Sequence, residues 1–196
     1  MVYICEDILD FDVEEALRVV TAERRDKVLR YRFDVDRRQS LAAYMLLCYG
    51  LREEYGIATP PRLGYDDRDK PHLADYPDIH FNLSHCRCGV ACAIGREPIG
   101  VDIEVIAEVD WDVARRVMSD AQLEHITSSL EPERDFCQLW TMKESLLKQT
   151  GEGLSDDLPR LAIDKSSFAH YHGEKYVCTA CYADAAEQVE FRLVRL

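Results

Sequence analysis

Apolar residues alternate with polar or small ones over residues 99–105, which is the two-residue period of a β-strand. One face of this strand carries Ile99, Val101, Ile103 and Val105, and the other carries Gly100, Asp102 and Glu104. Strands are predicted at 79–84 and 89–94 as well. We expect the three to form a meander with turns at 87–89 and 95–98, where Gly and Pro interrupt the pattern.

A helical period of three to four residues marks the stretch 131–150. Pro132 suits the first turn of a helix and Gly151 suits its end. Trp140, Glu144 and Lys148 follow one another at intervals of four, so they stack on one face of this helix. Taken alone, Glu144 and Lys148 would be an ordinary surface ion pair contributing about 0.3–0.5 kcal/mol. The apolar stripe of the same helix consists of Phe136, Leu139, Trp140, Leu146 and Leu147.

The remaining elements are predicted from helix caps and periodicity. Helices are predicted at 12–19 with Asp12 as its cap, from Thr21 to about 31, from Asp34 or Asp36 to 55, at 112–118, and from Ser119 to about 128. Strands are predicted at 2–4 on a sheet edge, at 62–65, at 161–163, at 176–182 and at 189–194, with a turn near 170–173. Each half therefore shows helices followed by strands, divided near Pro98. The fold class predicted is α+β, with small antiparallel sheets packed with helices.

Composition and charge exclude several classes of protein. The chain has 196 residues, 47% of them hydrophobic, enough to bury a core in one domain or two small ones. No apolar run approaches the roughly 20 residues of a membrane span. The N-terminus has no basic region typical of a secretion signal, so we expect a cytoplasmic protein that does not enter a membrane. A net charge of −13 argues against nucleic acid as a partner.

One segment has the opposite charge. Between Arg18 and Arg38 there are eight basic residues against four acidic ones. This segment is either a solvated helical face or a lip that binds phosphate groups.

The eight cysteines allow two interpretations. Cys86 and Cys88 together with Cys178 and Cys181 have the pairwise spacing of a four-thiolate zinc site. The other cysteines lie among apolar residues, where cysteine acts as a small hydrophobic side chain, and a cytoplasmic location disfavours disulfides.

Asp102 and Glu104 are unusual on a strand because both residue types are poor strand formers and like charges repel. A divalent cation held between them would turn the repulsion into attraction, and Mg²⁺ favours one or two carboxylates plus substrate phosphates. The alternative is a half-buried strand with a solvated acidic face.

Three motifs favour the first of these alternatives, the cation site. FNLSH at 81–85, GVDIE at 100–104 and WTMKESLLK at 140–148 resemble, in order and spacing, the 4′-phosphopantetheinyl transferases of the surfactin-synthetase-activating type. The resemblance is strongest over 70–153. It implies a monomer of two similar α/β lobes related by a pseudo-twofold axis, with the active site between them. We expect residues 1–98 to form the N-terminal lobe, on the side of the coenzyme A 3′-phosphate, and residues 99–196 to form the lobe with the carboxylates and the motif helix.

The resemblance also implies a reaction. Its members transfer 4′-phosphopantetheine from coenzyme A to a serine of an apo acyl or peptidyl carrier protein, releasing 3′,5′-ADP. It implies Mg²⁺ held by Asp102, Glu104 and Glu144, with Glu144 also as the base. It further implies contacts to coenzyme A phosphates from Lys148 and His85, to the nucleotide from Ser84, and to the 3′-phosphate from Lys70. Lys143 points roughly 100° away from Glu144 on the helix, so it ranks below Lys148.

One position departs from the family pattern. Many relatives have a basic residue where this chain has Gln39, so Arg37 and Arg38 are predicted to take over the contact with the 3′-phosphate. The carrier is expected to dock near 106–123, on Trp111, Val117 and Met118, with Arg115 and Arg116. Two other functions remain open: a non-catalytic protein that binds coenzyme A or carriers, and a metal-dependent phosphohydrolase acting on nucleotides.

Overall fold

The computed structural model describes residues 1–6, 8–153, 158–183 and 189–196. The helices are α1 (Val13–Val19), α2 (Ala22–Leu29), α3 (Asp34–Tyr55), α4 (Trp111–Val117), α5 (Asp120–Ser128) and α6 (Pro132–Thr150). The strands are β1 (Val2–Cys5), β2 (Leu63–Tyr65), β3 (Pro71–Leu73), β4 (His80–Cys86), β5 (Gly89–Gly95), β6 (Ile99–Val105), β7 (Phe168–His172), β8 (Tyr176–Tyr182) and β9 (Phe191–Leu193).

The helix ends lie where local chemistry places them. The side chains of Asp12 and Thr21 accept hydrogen bonds from the amides of Glu15 and Arg24, which begins α1 and α2. Ser119 and Gln122 form both halves of the predicted capping box at the start of α5. Gly151 ends α6 in the left-handed conformation, at φ 73°. These predicted boundaries are confirmed.

The strands form small sheets. One has the order β4-β5-β1-β9, another pairs β2 with β3, and the third has the order β6-β8-β7. The prediction that the first strand lies on an edge is wrong, because β1 pairs with β5 on one side and with β9 on the other. The predicted strand at 161–163 is also wrong, since this segment is irregular, and the strand lies at 168–172, where a turn was predicted.

The predicted meander is wrong in its third strand. β4 and β5 pair as predicted, but β6 belongs to the other sheet. In a meander β6 would pair with β5, but β1 occupies that edge of β5. Two side chains of β4 still bind β6: the Asn82 side-chain oxygen accepts the hydrogen bond of the Val101 amide at 2.9 Å, and the Ser84 hydroxyl accepts that of the Ile103 amide at 3.4 Å. These contacts join the two sheets without a backbone ladder between them.

The two larger sheets stack face to face. Val2, Ile4 and Ala91 from one sheet share a buried core with Val101 and Ile103 from the other. Helix α3 covers the outer face of the first sheet, and α6 covers the outer face of the second. The order of layers is α3, sheet, sheet, α6, which confirms the predicted α+β class with small sheets packed with helices. The strand pairs are antiparallel as predicted, except that β1 and β9 are parallel. No helix within the described ranges is long and apolar enough to cross a membrane.

Candidate active site

A glycine brings the motif helix onto the carboxylate strand. A Cβ atom on Gly100 would lie 1.9 Å from the backbone oxygen of Ser145 and 2.6 Å from the amide nitrogen of Gln149. Helix α6 therefore lies in backbone contact with β6, and the face of β6 that carries the acids is covered by the helix. Asp102 is only 2% exposed. A solvated acidic face, the alternative that the sequence left open, is thereby excluded.

The three motifs meet at three side chains. The Lys148 ammonium lies 2.6 Å from Asp102 Oδ1 and donates a hydrogen bond to Ser84 Oγ at 3.0 Å. Ser84 donates its own proton to Asp102 Oδ1 at 2.8 Å. The second oxygen of Asp102, Oδ2, is buried and has no hydrogen-bond partner among the described residues. A buried acceptor without a donor is costly unless something else occupies its lone pairs, so this atom is available to a cation or a ligand.

Two further acids lie in the electric field of this group. Burial raises the pKa of Glu104 to about 7, helped by the negative charge of Asp102 and opposed by Lys148 and by a hydrogen bond from Trp140. Burial and the Asp102 charge also raise the pKa of Glu144, again opposed by Lys148. The pKa of each of these two acids therefore lies above its ordinary value, because the charge of Lys148 does not offset burial and the neighbouring negative charge.

The donor set suits a hard divalent cation in its chemistry. It offers carboxylate oxygens, an excess of negative charge and the buried, unpartnered Oδ2 of Asp102. Over the described ranges, no three His, Cys, Asp or Glu side chains are already grouped as a metal site. The zinc hypothesis is not supported, because Cys178 and Cys181 point to opposite faces of β8 and lie in different core clusters.

His85 lies at the exposed end of β4, beside the same group. Partial desolvation and the Lys148 charge lower its pKa, while the charges of Asp36 and Asp102 oppose this shift. Gln39 is buried and donates a hydrogen bond to the backbone oxygen of Cys86 at 2.9 Å. The residue at the position that departs from the family pattern therefore holds the turn that follows His85.

A basic cavity lies between α2, Tyr44 of α3 and the segment 61–65. It has a volume of about 290 Å³ and is lined by Arg24, Lys27 and Arg30, with Glu23 as the acidic residue among its described walls. Arg24 donates to the backbone and hydroxyl oxygens of Ser40, and its Nε atom is buried without a partner. An unpartnered donor on a buried guanidinium is suited to an anion. The sequence places these three residues in the basic segment 18–38 without distinguishing them from its other cations. The structure distinguishes Arg24 by its contact with Ser40.

The basic cavity and His85 are linked through neighbouring residues of α3. Ser40 holds Arg24, while Gln39 holds the turn after His85. Asp36, one helical turn before Ser40, is close enough to His85 to influence its pKa. Arg24 and His85 therefore flank the same turn of α3.

The other predicted basic residues are placed differently. Arg37 donates to the Tyr31 backbone oxygen at 2.9 Å, and Arg38 donates to that of Leu9 at 3.0 Å. Lys70 donates to the Gln149 backbone oxygen at 2.7 Å, at the end of α6. Lys143 is fully buried and donates to the Leu158 backbone oxygen at 2.6 Å, which agrees with its predicted direction away from Glu144.

Comparison with known proteins identifies related sequences. The family model described as the 4′-phosphopantetheinyl transferase superfamily matches residues 98–191. A 4′-phosphopantetheinyl transferase of Bacillus subtilis is 30% identical over 172 residues, which cover 86% of this chain and 77% of that protein. One from Bacillus pumilus is 32% identical over 146 residues, covering 73% of this chain and 63% of that protein. The human L-aminoadipate-semialdehyde dehydrogenase-phosphopantetheinyl transferase is 26% identical, covering 90% of this chain and 62% of that protein.

Proposed function

The chain belongs to the 4′-phosphopantetheinyl transferase superfamily, and we propose that it transfers 4′-phosphopantetheine from coenzyme A to a serine hydroxyl of an apo acyl or peptidyl carrier protein. The observation that carries this proposal is the contact of Lys148 with Asp102 and Ser84, because it joins all three sequence motifs in one buried polar group.

In the proposed reaction, the carrier serine oxygen attacks the phosphorus that bears the pantetheine. A bond forms between that oxygen and phosphorus, and the bond from phosphorus to the bridging oxygen of the pyrophosphate breaks. The serine proton passes to the Glu144 carboxylate, and the bridging oxygen leaves with its electron pair as part of 3′,5′-ADP. Phosphoryl transfer of this kind depends on positioning and on neutralising the charge of the phosphate oxygens.

Each residue of the site has a part in this proposal. Lys148 binds a pyrophosphate oxygen, and its positive charge favours the ionised form of Glu144, which the base requires. His85 donates to a phosphate oxygen from the end of β4. The contact of Ser84 with the nucleotide stays a prediction, and in the structure Ser84 binds Lys148 and Asp102. Asp102, Glu104 and Glu144 would hold Mg²⁺, which supplies charge neutralisation at the pyrophosphate when bound.

We place the 3′-phosphate of coenzyme A in the basic cavity formed by Arg24, Lys27 and Arg30. The buried, unpartnered Nε of Arg24 supports this choice, as does the link from Ser40 through Gln39 to the turn after His85. Arg37, Arg38 and Lys70 remain predicted contacts. Each of them donates to a backbone oxygen in the structure and retains further donors for a ligand.

The carrier is proposed to dock along 106–123. Trp111 is 36% exposed and offers apolar contact. Val117 and Met118, which were predicted to contribute, are buried in the core between α4, α5 and α6, so that part of the prediction is wrong. Arg115 is paired with Asp112 at 2.7 Å and Arg116 lies beside it on the exposed side of α4, where both would meet an acidic carrier.

We further infer that the protein acts as a monomer in the cytoplasm. We keep 1–98 and 99–196 as the proposed N-terminal and C-terminal lobes. The free thiols of all eight cysteines agree with a reducing compartment. The last strand, β9, pairs with β1 in the sheet of the first lobe, so the end of the chain departs from the proposed boundary at residue 98.

Intact-mass spectrometry of an apo carrier protein, incubated with this protein, coenzyme A and Mg²⁺, tests the proposal. We expect the carrier to gain one phosphopantetheine, and the gain to disappear with Glu144→Gln or with a chelator. Bound coenzyme A without any gain, across fatty-acid and peptidyl carriers, would indicate a non-catalytic binding protein. Consumption of coenzyme A with an unmodified carrier would indicate a phosphohydrolase.

A further inference from the structure

A cavity lies on the flank of α6 that faces away from Glu144 and Lys148. It has a volume of about 420 Å³, with walls formed by α5, α6, the segment 161–165 and β7. Gln138 and Met142 of α6 line the cavity. Met142 is two residues from both Trp140 and Glu144, so its side chain lies about 200° around the helix from each of them. The cavity is therefore separate from the candidate active site around Asp102, Glu144 and Lys148.

The cavity has the dimensions and composition of a small-molecule site. Ligand pockets commonly measure about 300–1,000 Å³ and combine apolar walls with a few polar groups. Its apolar walls are Leu139, Met142, Leu161 and Ile163. Its polar groups include Lys165 and His170, and the pair of His125 and Asp135, whose atoms Nε2 and Oδ2 are 3.5 Å apart.

A buried chain of hydrogen bonds fixes which nitrogen of His170 carries the proton. Thr141 donates its hydroxyl proton to the backbone oxygen of Gln138 at 2.9 Å, which can only accept. Thr141 must therefore accept from Thr179, whose oxygen is 2.7 Å away. Thr179 has then used its proton, so it must accept from Nδ1 of His170 at 3.0 Å.

The consequence is a bare lone pair on His170 Nε2. Burial lowers the pKa of His170 to about 4, which keeps the ring neutral near pH 7. The ring is also held in place by stacking on Phe168, at 6.5 Å between centroids and 6° between planes. Across the described part of the chain, Nε2 has no hydrogen-bond partner, and Lys165 has no carboxylate partner.

The cavity thus combines an acceptor, a cation and an apolar wall. A ligand that satisfies all three has a hydroxyl or amide N–H to donate to His170, an acidic group for Lys165 and a hydrocarbon body. The net charge of −13 makes the protein repel anions in general, so an anion that binds here does so through the local cation.

We propose that this flank cavity is a second ligand site, which binds a small amphipathic acid carrying a hydrogen-bond donor, such as a hydroxy fatty acid. This site is independent of phosphopantetheine transfer. Its occupancy is therefore tested without reference to the transfer reaction.

The test compares binding of 3-hydroxydecanoate and decanoate to the full-length protein by isothermal titration calorimetry. Decanoate is the matched control because it lacks only the hydroxyl. We expect the hydroxy acid to bind about fivefold more tightly, the effect of one neutral hydrogen bond worth about 1 kcal/mol. Imidazole ¹⁵N spectra should show protonated Nδ1 on His170 before addition, and the Nε2 resonance should shift when the hydroxy acid is added.

Two variants separate the polar contacts. His170→Phe retains a stacked ring but removes the acceptor, so the two acids should bind equally. Lys165→Gln should weaken both acids by a similar factor and leave the fivefold preference unchanged. Phosphopantetheine transfer by the His170→Phe variant, measured separately, should match that of the parent protein.

Three results would overturn the proposal. The first is no heat of binding for either acid up to its solubility limit. The second is equal affinity of the parent protein for both acids, and the third is binding that neither variant changes, which would place the acids elsewhere.

Discussion

Replacing Gly100 with alanine tests whether the close approach of α6 to β6 builds the active site. The new Cβ would lie 1.9 Å from the Ser145 backbone oxygen, whereas ordinary contacts begin at 3.4 Å. The obstacle is backbone on both sides, so no side-chain rotation relieves it. The helix or the strand must move by about 1.5 Å, and Glu144 and Lys148 move with the helix.

Gly100→Ala should lower stability by overpacking the core and should lower the transfer rate by displacing Glu144 and Lys148. Overpacking a well-packed core costs about 1–3 kcal/mol, which lowers the melting temperature of a chain of this length by roughly 2–12 °C. A displacement of about 1 Å at reacting groups lowers the rate by about 100-fold. The effect on transfer should therefore exceed what the loss of stability alone produces at a temperature where the variant is folded.

The assay pairs a thermal melt with the initial rate of holo-carrier formation, both measured for Gly100→Ala and for Gly95→Ala. A Cβ on Gly95 would meet the Glu97 backbone oxygen at 3.6 Å, an ordinary contact, so this control should lose less than about 1 kcal/mol and retain its rate. If Gly100→Ala melts and reacts like the parent protein, the helix contact does not position the site.

Three further changes test the electrostatics and the binding surfaces. Because the folded pKa of Glu104 is raised to about 7, the folded state holds more protons than the unfolded state between about pH 4.5 and 7, so stability falls as pH rises across this range. Glu104→Gln should therefore raise the melting temperature at pH 8, reduce this pH dependence and abolish transfer; an unchanged pH dependence of melting would contradict the assignment. Arg24→Met should raise KM for coenzyme A by about tenfold or more and leave KM for 3′-dephospho-coenzyme A unchanged, whereas equal increases for both would place the 3′-phosphate elsewhere. Reversing the charge of Arg115 and Arg116 with glutamate should raise KM for the carrier by a few-fold without changing KM for coenzyme A, and an unchanged carrier KM would remove both residues from the docking surface.

Local chemistry was sufficient to predict much of the fold. The alternation from Ile99 to Val105 predicted the bounds of β6, and Pro132 with Gly151 predicted those of α6 to within one residue. These signals depend only on residues that are close together in the sequence, so they can be recognised without the structure.

The errors arose where distant segments decide the outcome. Nothing near β6 shows that its partner is β8, or that β1 takes the place beside β5 that a meander would give to β6. Likewise, β1 is an inner strand only because β9 arrives from the other end of the chain.

The candidate site divides in the same way. The motif spacing selected Asp102, Glu144 and Lys148, and the structure brings Lys148 and Asp102 into contact. The unpartnered donor of Arg24 depends on its burial against Ser40, which no pattern of charges along the chain reveals.

A double-mutant cycle on Asp102 and Lys148 tests the central claim most directly. The measurement is kcat/KM for holo-carrier formation by Asp102→Asn, Lys148→Met and the double variant. Because the two side chains form one buried unit 2.6 Å apart, each single change should lower the rate by about 100-fold or more, and the double variant should be little slower than the slower single one. If the two losses multiply, or if either single variant retains the parent rate, Asp102 and Lys148 do not act together in the transfer.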